Sequence, residues 1–168
     1  MQLQMRFLGD PVLRARAAEV ETVTEETRKL ISDMFDTMYA EDGVGLAAPQ
    51  VGIGQRIIVV DPRDDTVQPF ALINPEITEL SVDVERAEEG CLSLPGLKEI
   101  VERPARVTVT GLGRDGEAVS ISAEGLLARI LQHEVDHVDG ILFIDRVSPL
   151  KRKMLLKRWE KVRPDGTD

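Results

Sequence analysis

Cysteine is nearly absent. Cys91 is alone among 168 residues, so no internal disulfide can staple the fold, and a reducing compartment suits the chain. Long apolar runs are missing too: nothing approaches the ~20 residues a membrane-spanning helix needs, and Met1–Arg6 lacks the apolar stretch of a signal peptide. Basic residues are in deficit, 21 against 30 acidic ones for a net charge of −9, which disfavours general nucleic-acid binding and specific DNA binding with it. Repeats, linkers and low-complexity tracts are likewise missing. What is there, 42% hydrophobic and 30% charged residues, is enough to bury ~70% of the unfolded surface in one core. The expectation is a single domain over 1–168, in the cytoplasm and off the membrane. Its charge is uneven. Residues 150–168 hold seven basic side chains and three acidic ones, a +4 tail on a body of −13.

Hydrophobic spacing gives the elements. Thr22 and Glu25 have capping-box spacing, and Leu30, Ile31, Met34, Phe35 and Met38 recur at helical intervals, predicting a helix over 24–40 that Gly43 and Gly45 end. Residues 57–60 and 70–73 read as short strands bounded by Pro62, Pro69 and Pro75. Residues 106–110 and 118–122 pair across an Asp115-Gly116 turn. A second helix is expected over 124–138, with Leu126, Ile130 and Leu131 on its buried side and Gly140 as its stop. Ser148-Pro149 starts a last helix over 149–163, with Leu155, Trp159 and Val162 in line and Pro164 and Gly166 as its end. Strands cluster mid-chain without regular βαβ alternation, so the class is α+β: antiparallel strands around a central helix, plus a C-terminal helix.

That central helix carries His133-Glu-Val-Asp-His137, both histidines of the chain. Residues four apart share a helix face, so both imidazoles can reach one metal ion, with Glu134 beside them to take a proton from water. A hydrolytic site needs a third protein ligand. Two candidates stand open: Glu160, as in a zinc peptidase cutting internal peptide bonds, and Cys91, in a segment whose Gly90 and Pro95-Gly96 suit a specific backbone path.

Three segments, Gly43-Val-Gly-Leu-Ala-Ala-Pro-Gln50, Glu89-Gly-Cys-Leu-Ser93 and Gln132-His-Glu-Val-Asp-His137, resemble the three motifs of the peptide deformylases in order and spacing. Gly9–Arg14 and Asp145–Leu150 are similar as well, so the resemblance covers nearly the whole chain. Val138, where the family commonly has leucine, is a mild departure. The resemblance implies a metal-dependent hydrolase that removes the formyl group from the N-terminal formyl-methionine of nascent polypeptides. It implies Cys91, His133 and His137 as metal ligands, and Glu134 as base and then acid. Gln50 and the Leu92 N–H would form the oxyanion hole, and Gly45 would be a backbone partner of the substrate. Ligand softness leaves iron(II) (Fe2+), zinc (Zn2+), nickel (Ni2+) and cobalt (Co2+) open; the family typically uses iron(II).

Chemistry supports each role. A formamide needs a strong nucleophile, which a divalent metal supplies by ionising water near pH 7. Donors aimed at the developing oxyanion are worth ~3–4 kcal/mol each, and the leaving amine must be protonated to depart. Ile130 and Leu126, one and two turns before the histidines, and Val44 in the glycine-rich segment would line a small apolar pocket for methionine. The basic tail could touch ribosomal RNA in a salt-sensitive way. A rival outside catalysis is a degenerate homologue that binds formylated chains or ribosomes without turnover.

Overall fold

The computed structural model describes residues 1–165; the expected stop at Gly166 lies outside them. Helix α1 (Glu25–Ala40) is followed by strands β1 (Gly45–Ala47), β2 (Ile57–Val60), β3 (Phe70–Leu80), β4 (Val84–Gly90), β5 (Lys98–Pro104), β6 (Arg106–Leu112) and β7 (Ala118–Glu124), then helices α2 (Gly125–Val138) and α3 (Pro149–Val162). Every strand pairing is antiparallel. Five strands form a sheet in the order β1-β2-β3-β6-β7, and β4 pairs with β5 alone. The α+β class and its central helix are as expected from sequence.

Strand β2 explains the layering. All four of its residues are buried, the mark of a strand covered on both faces. Ile58 and Val60 join Leu72, Val107 and Val109 against Leu131 and Val135 of α2. Ile57 and Val59 join Ala71 and Ile73 against Ile31, Met34 and Met38 of α1. The period of two therefore sends alternate side chains to different helices. A third cluster, with Leu94, Val101, Phe143, Leu155 and Trp159, seats α3 beside the β4–β5 pair.

Several expectations need correction. Thr24, not Thr22, caps α1: its extended backbone lets Oγ1 accept from the Thr27 N–H, while Thr27 Oγ1 accepts from the Thr24 N–H at 3.1 Å. Glu25 turns instead to Arg28. Asp42, not a glycine, takes the left-handed turn after α1, at φ +59°, and the N–H groups of Asp42 and Gly43 close onto the carbonyls of Tyr39 and Met38. Pro75 does not end β3. It sits in a bulge where Asn74, at φ +54°, hydrogen-bonds both backbone groups of Val20, and the strand runs on to Leu80. Opposite the bulge, a Cβ on Gly111 would come within 2.9 Å of the Ile73 carbonyl.

The pair β4–β5 carries no clear apolar alternation, because charged residues fill eight of its 14 positions. Leu126 is 56% exposed rather than buried, and Val162 is 38% exposed. The expected Gly140 stop is seen: φ is +78°, its N–H donates to the His137 carbonyl at 3.1 Å, and a Cβ there would meet the Arg14 carbonyl oxygen at 2.5 Å.

Candidate metal centre

Helix α2 presents His133 and His137 on one face, and the turn that follows β4 delivers Cys91 to them. Cys91 Sγ lies 3.3 Å from His137 Nε2, which lies 3.2 Å from His133 Nε2. All three ligand atoms fall within 4.8 Å of one another. Tetrahedral coordination with metal–nitrogen bonds of about 2.0–2.1 Å and a metal–sulfur bond of about 2.3 Å puts ligand atoms about 3.3–3.7 Å apart, so the donor set fits one metal ion. Cys91 is thus brought to the histidines. Glu160, the other candidate, is exposed on α3 and pairs with Arg163 at 3.8 Å.

Buried charges hold this arrangement. Glu89 lies 2.9 Å from His133 Nδ1, which fixes the ring with Nε2 facing the other donors. The same carboxylate takes Arg103 Nε at 2.6 Å and Arg129 Nη1 at 2.6 Å. Arg103 continues to Asp136 at 2.9 Å, and Asp136 to Arg146 at 2.8 Å. Burial alone would raise the Glu89 carboxyl, but the bonds from His133 and Arg103 outweigh it and hold it down at about 2. Burial works against a charge on His133, yet the Cys91 sulfur and the Glu134 and Glu89 carboxylates overcome it and raise its pKa well above the ordinary value. Burial and the neighbouring His133 charge keep His137 neutral.

A cavity of about 430 Å³ opens onto the centre, and Val44, Gly45, Leu92, Leu126, Ile130 and Glu134 all line it. Gly45 has to be glycine for space, since a Cβ would stand 2.7 Å from Glu134 Oε2 and 2.9 Å from Ile130 Cγ2. Burial pushes the Glu134 carboxyl up to about 7, against the nearby His133 charge, and its Oε1 has no hydrogen-bond partner among the described residues. Gln50 is buried and fixed at both ends of its amide. Oε1 accepts from the Ala47 N–H at 2.9 Å; Nε2 donates to Ser93 Oγ at 3.2 Å and lies 3.5 Å from Cys91 Sγ. Leu126 reaches the cavity from its exposed position, as a rim residue.

Sequence reading assigned no role to Glu89, Ser93, Arg103, Arg129 or Asp136. One signal was available: Arg129 stands four residues before His133, a charge on a helix face that otherwise packs inward.

Residues 3–153 match the family model described as polypeptide deformylase. A peptide deformylase of Chromohalobacter salexigens is 51% identical over 152 residues, covering 90% of this chain and 89% of that one. The crystal structure of a peptide deformylase from Legionella pneumophila superposes with a TM-score of 0.90 at 46% identity, covering 96% of this chain and 95% of the other. A peptide deformylase from Synechococcus elongatus, solved in complex with actinonin, gives 0.88 at 44% identity, with 96% and 92% covered.

Proposed function

The chain belongs to the polypeptide deformylase family, and from that premise we propose which of its side chains carries each part of the reaction. The enzyme is a hydrolase that removes the N-formyl group, as formate, from the N-terminal formyl-methionine of newly synthesised polypeptides. The observation that carries the assignment is the convergence of Cys91, His133 and His137 beside a cavity lined by Glu134 and Gln50.

Cys91, His133 and His137 hold one divalent ion, iron(II) by family resemblance. A divalent ion bound there supplies Lewis acidity that ionises water near neutral pH. Glu134 takes the proton of the attacking water on a carboxylate oxygen and later delivers it to the departing amine nitrogen. Gln50 donates from Nε2, with the Leu92 N–H, to the oxygen that gains charge as the formyl carbon becomes tetrahedral. Ala47 and Ser93 hold the amide in place, and Nε2 turns one hydrogen from Ser93 Oγ or Cys91 Sγ to the oxygen as its charge develops. Val44, Leu126 and Ile130 receive the methionine side chain, and the Gly45 backbone pairs with the substrate backbone.

Residues 1–168 act as one catalytic domain, α3 included, in the cytoplasm; no helix among the described residues is long and apolar enough to cross a membrane. Transient contact with the ribosome runs through Lys157, Arg158 and Lys161, which line a groove beside Lys98. Its signature is co-sedimentation that falls steeply with salt.

The deciding experiment measures formate release from a formyl-methionyl tripeptide by anaerobically purified, iron(II)-loaded protein. The intact chain should turn over. Glu134→Ala should keep its metal and lose at least 10²-fold in kcat. Absence of release from the metal-loaded intact chain would refute the reading.

A further inference from the structure

Arg63 has no role in the reaction above, yet it holds a costly backbone conformation beside the segment that lines the cavity. Its φ is +59°, as is that of Asp42, the residue it faces, and side chains other than glycine enter this region only where surrounding structure holds them. Arg63 Nη1 meets Asp42 Oδ1 at 3.1 Å, and Nη2 donates to the Gly43 carbonyl at 3.2 Å. The guanidinium lies 5.7 Å over the Tyr39 ring. Asp61 ties the group together. Its carboxylate accepts from the Tyr39 hydroxyl at 2.7 Å and from the Arg63 N–H at 2.8 Å, and its own N–H donates to the Val44 carbonyl at 2.8 Å. Burial and the Asp61 carboxylate push the Tyr39 phenol up to about 12, so it remains a donor at neutral pH.

These contacts converge on residues 42–44, just before Gly45. A segment with glycine at 43 and 45 has little intrinsic stiffness, and at Gly43 a Cβ would stand 2.7 Å from Leu92 Cδ1. The segment's backbone bonds run to the Met38 carbonyl, the Asp61 N–H and Val60 of β2, and Arg63 adds the one side-chain bond to the Gly43 carbonyl among the described residues. We infer that Arg63 is a positioning residue: through the Gly43 carbonyl it holds residues 43–45 in the extended line along which the substrate backbone is aligned. The inference rests on the assignment of Gly45 to the substrate.

The test compares Arg63→Ala and Arg63→Lys with the unsubstituted iron(II)-loaded enzyme on two substrates, a formyl-methionyl tripeptide and formyl-methionine alone. Loss of one hydrogen bond that aligns the bound peptide should raise KM for the tripeptide about five- to tenfold in Arg63→Ala, with kcat and metal content nearly unchanged. Formyl-methionine, with no backbone beyond its first residue, should change less than about twofold. Arg63→Lys, keeping a cation near the carbonyl, should recover part of the loss. Equal losses on both substrates, or an unchanged tripeptide KM, would overturn the inference. Should Arg63→Ala fail to fold, Tyr39→Phe carries the test, because it removes only the bond to Asp61. A smaller shift in KM on the tripeptide alone supports the inference, and none overturns it. An unsubstituted enzyme that releases no formate refutes the functional reading instead.

Discussion

Gly45→Ala probes the closest approach in the centre. A methyl group there would lie 2.7 Å from Glu134 Oε2, 2.9 Å from Ile130 Cγ2 and 3.0 Å from Glu134 Cγ, where ordinary contacts need about 3.5 Å or more. Strand β1 cannot retreat, because Gly45 is paired with Val60 and α2 packs directly against the sheet. The carboxylate gives way instead, since Glu134 Oε1 has no hydrogen bond among the described residues to resist it. The displacement is about 0.7–1 Å. A 1 Å misplacement of a reacting group costs about 10²-fold, or about 2.7 kcal/mol of barrier. The expectation is therefore a kcat down about 10²-fold with metal content unchanged. Overpacking of about 1–3 kcal/mol should lower Tm by about 2–10 °C. Formate release, metal analysis and a thermal melt on the same preparation read all three. Activity within about threefold of the intact enzyme would refute the steric argument. Loss of metal with loss of activity would show that Gly45 protects the ligands rather than Glu134.

Three further outcomes follow from the same geometry. Glu89→Ala strands two buried arginines, Arg103 and Arg129, and should cost about 3–5 kcal/mol in urea unfolding; Glu89→Gln should be milder in stability yet weaken metal binding about 10–100-fold in a competition titration. Cys91→Ser exchanges the soft thiolate for a hydroxyl and should lose the metal on mild chelation, while retention of a full equivalent would argue that the histidines suffice. Asp145 is held below the ordinary carboxylate range: burial opposes this, but Arg14 and the Leu142 N–H outweigh it. A lowered folded pKa means stability that is present above the unfolded value of about 3.9 and lost as pH falls through the folded one. Asp145→Asn should therefore be about 1–2 kcal/mol less stable at pH 7, with the gap closing in acid; a gap that persists at pH 2 would contradict the sign.

Local patterns made much of this molecule legible. The histidine pair is a four-residue interval on a helix, a distance the backbone sets by itself, and Gly140 and Ser148 mark turns that their own backbone needs dictate. Thr22 and Glu25 have the usual capping-box spacing, but the structure uses the threonine pair Thr24 and Thr27, in register with the helix start. Pro75 reads as the end of a strand because a proline cannot donate to a ladder, yet the facing Gly111, 36 residues away in sequence, makes room for a bulge there. Leu126 reads as core from helical spacing, but the cavity leaves that first turn uncovered.

By itself, then, the sequence determined the α+β class, the family, and the shared helix face of the histidine pair, because those depend on residue types at short, fixed intervals. Tertiary structure alone decided that Cys91 and not Glu160 meets the histidines, that Glu89 binds His133 and two arginines at once, and that Arg63 reaches back to Gly43. Those pairings span 14 to 46 residues of chain. Such distances close only when the sheet folds between α1 and α2, and no local interval encodes them.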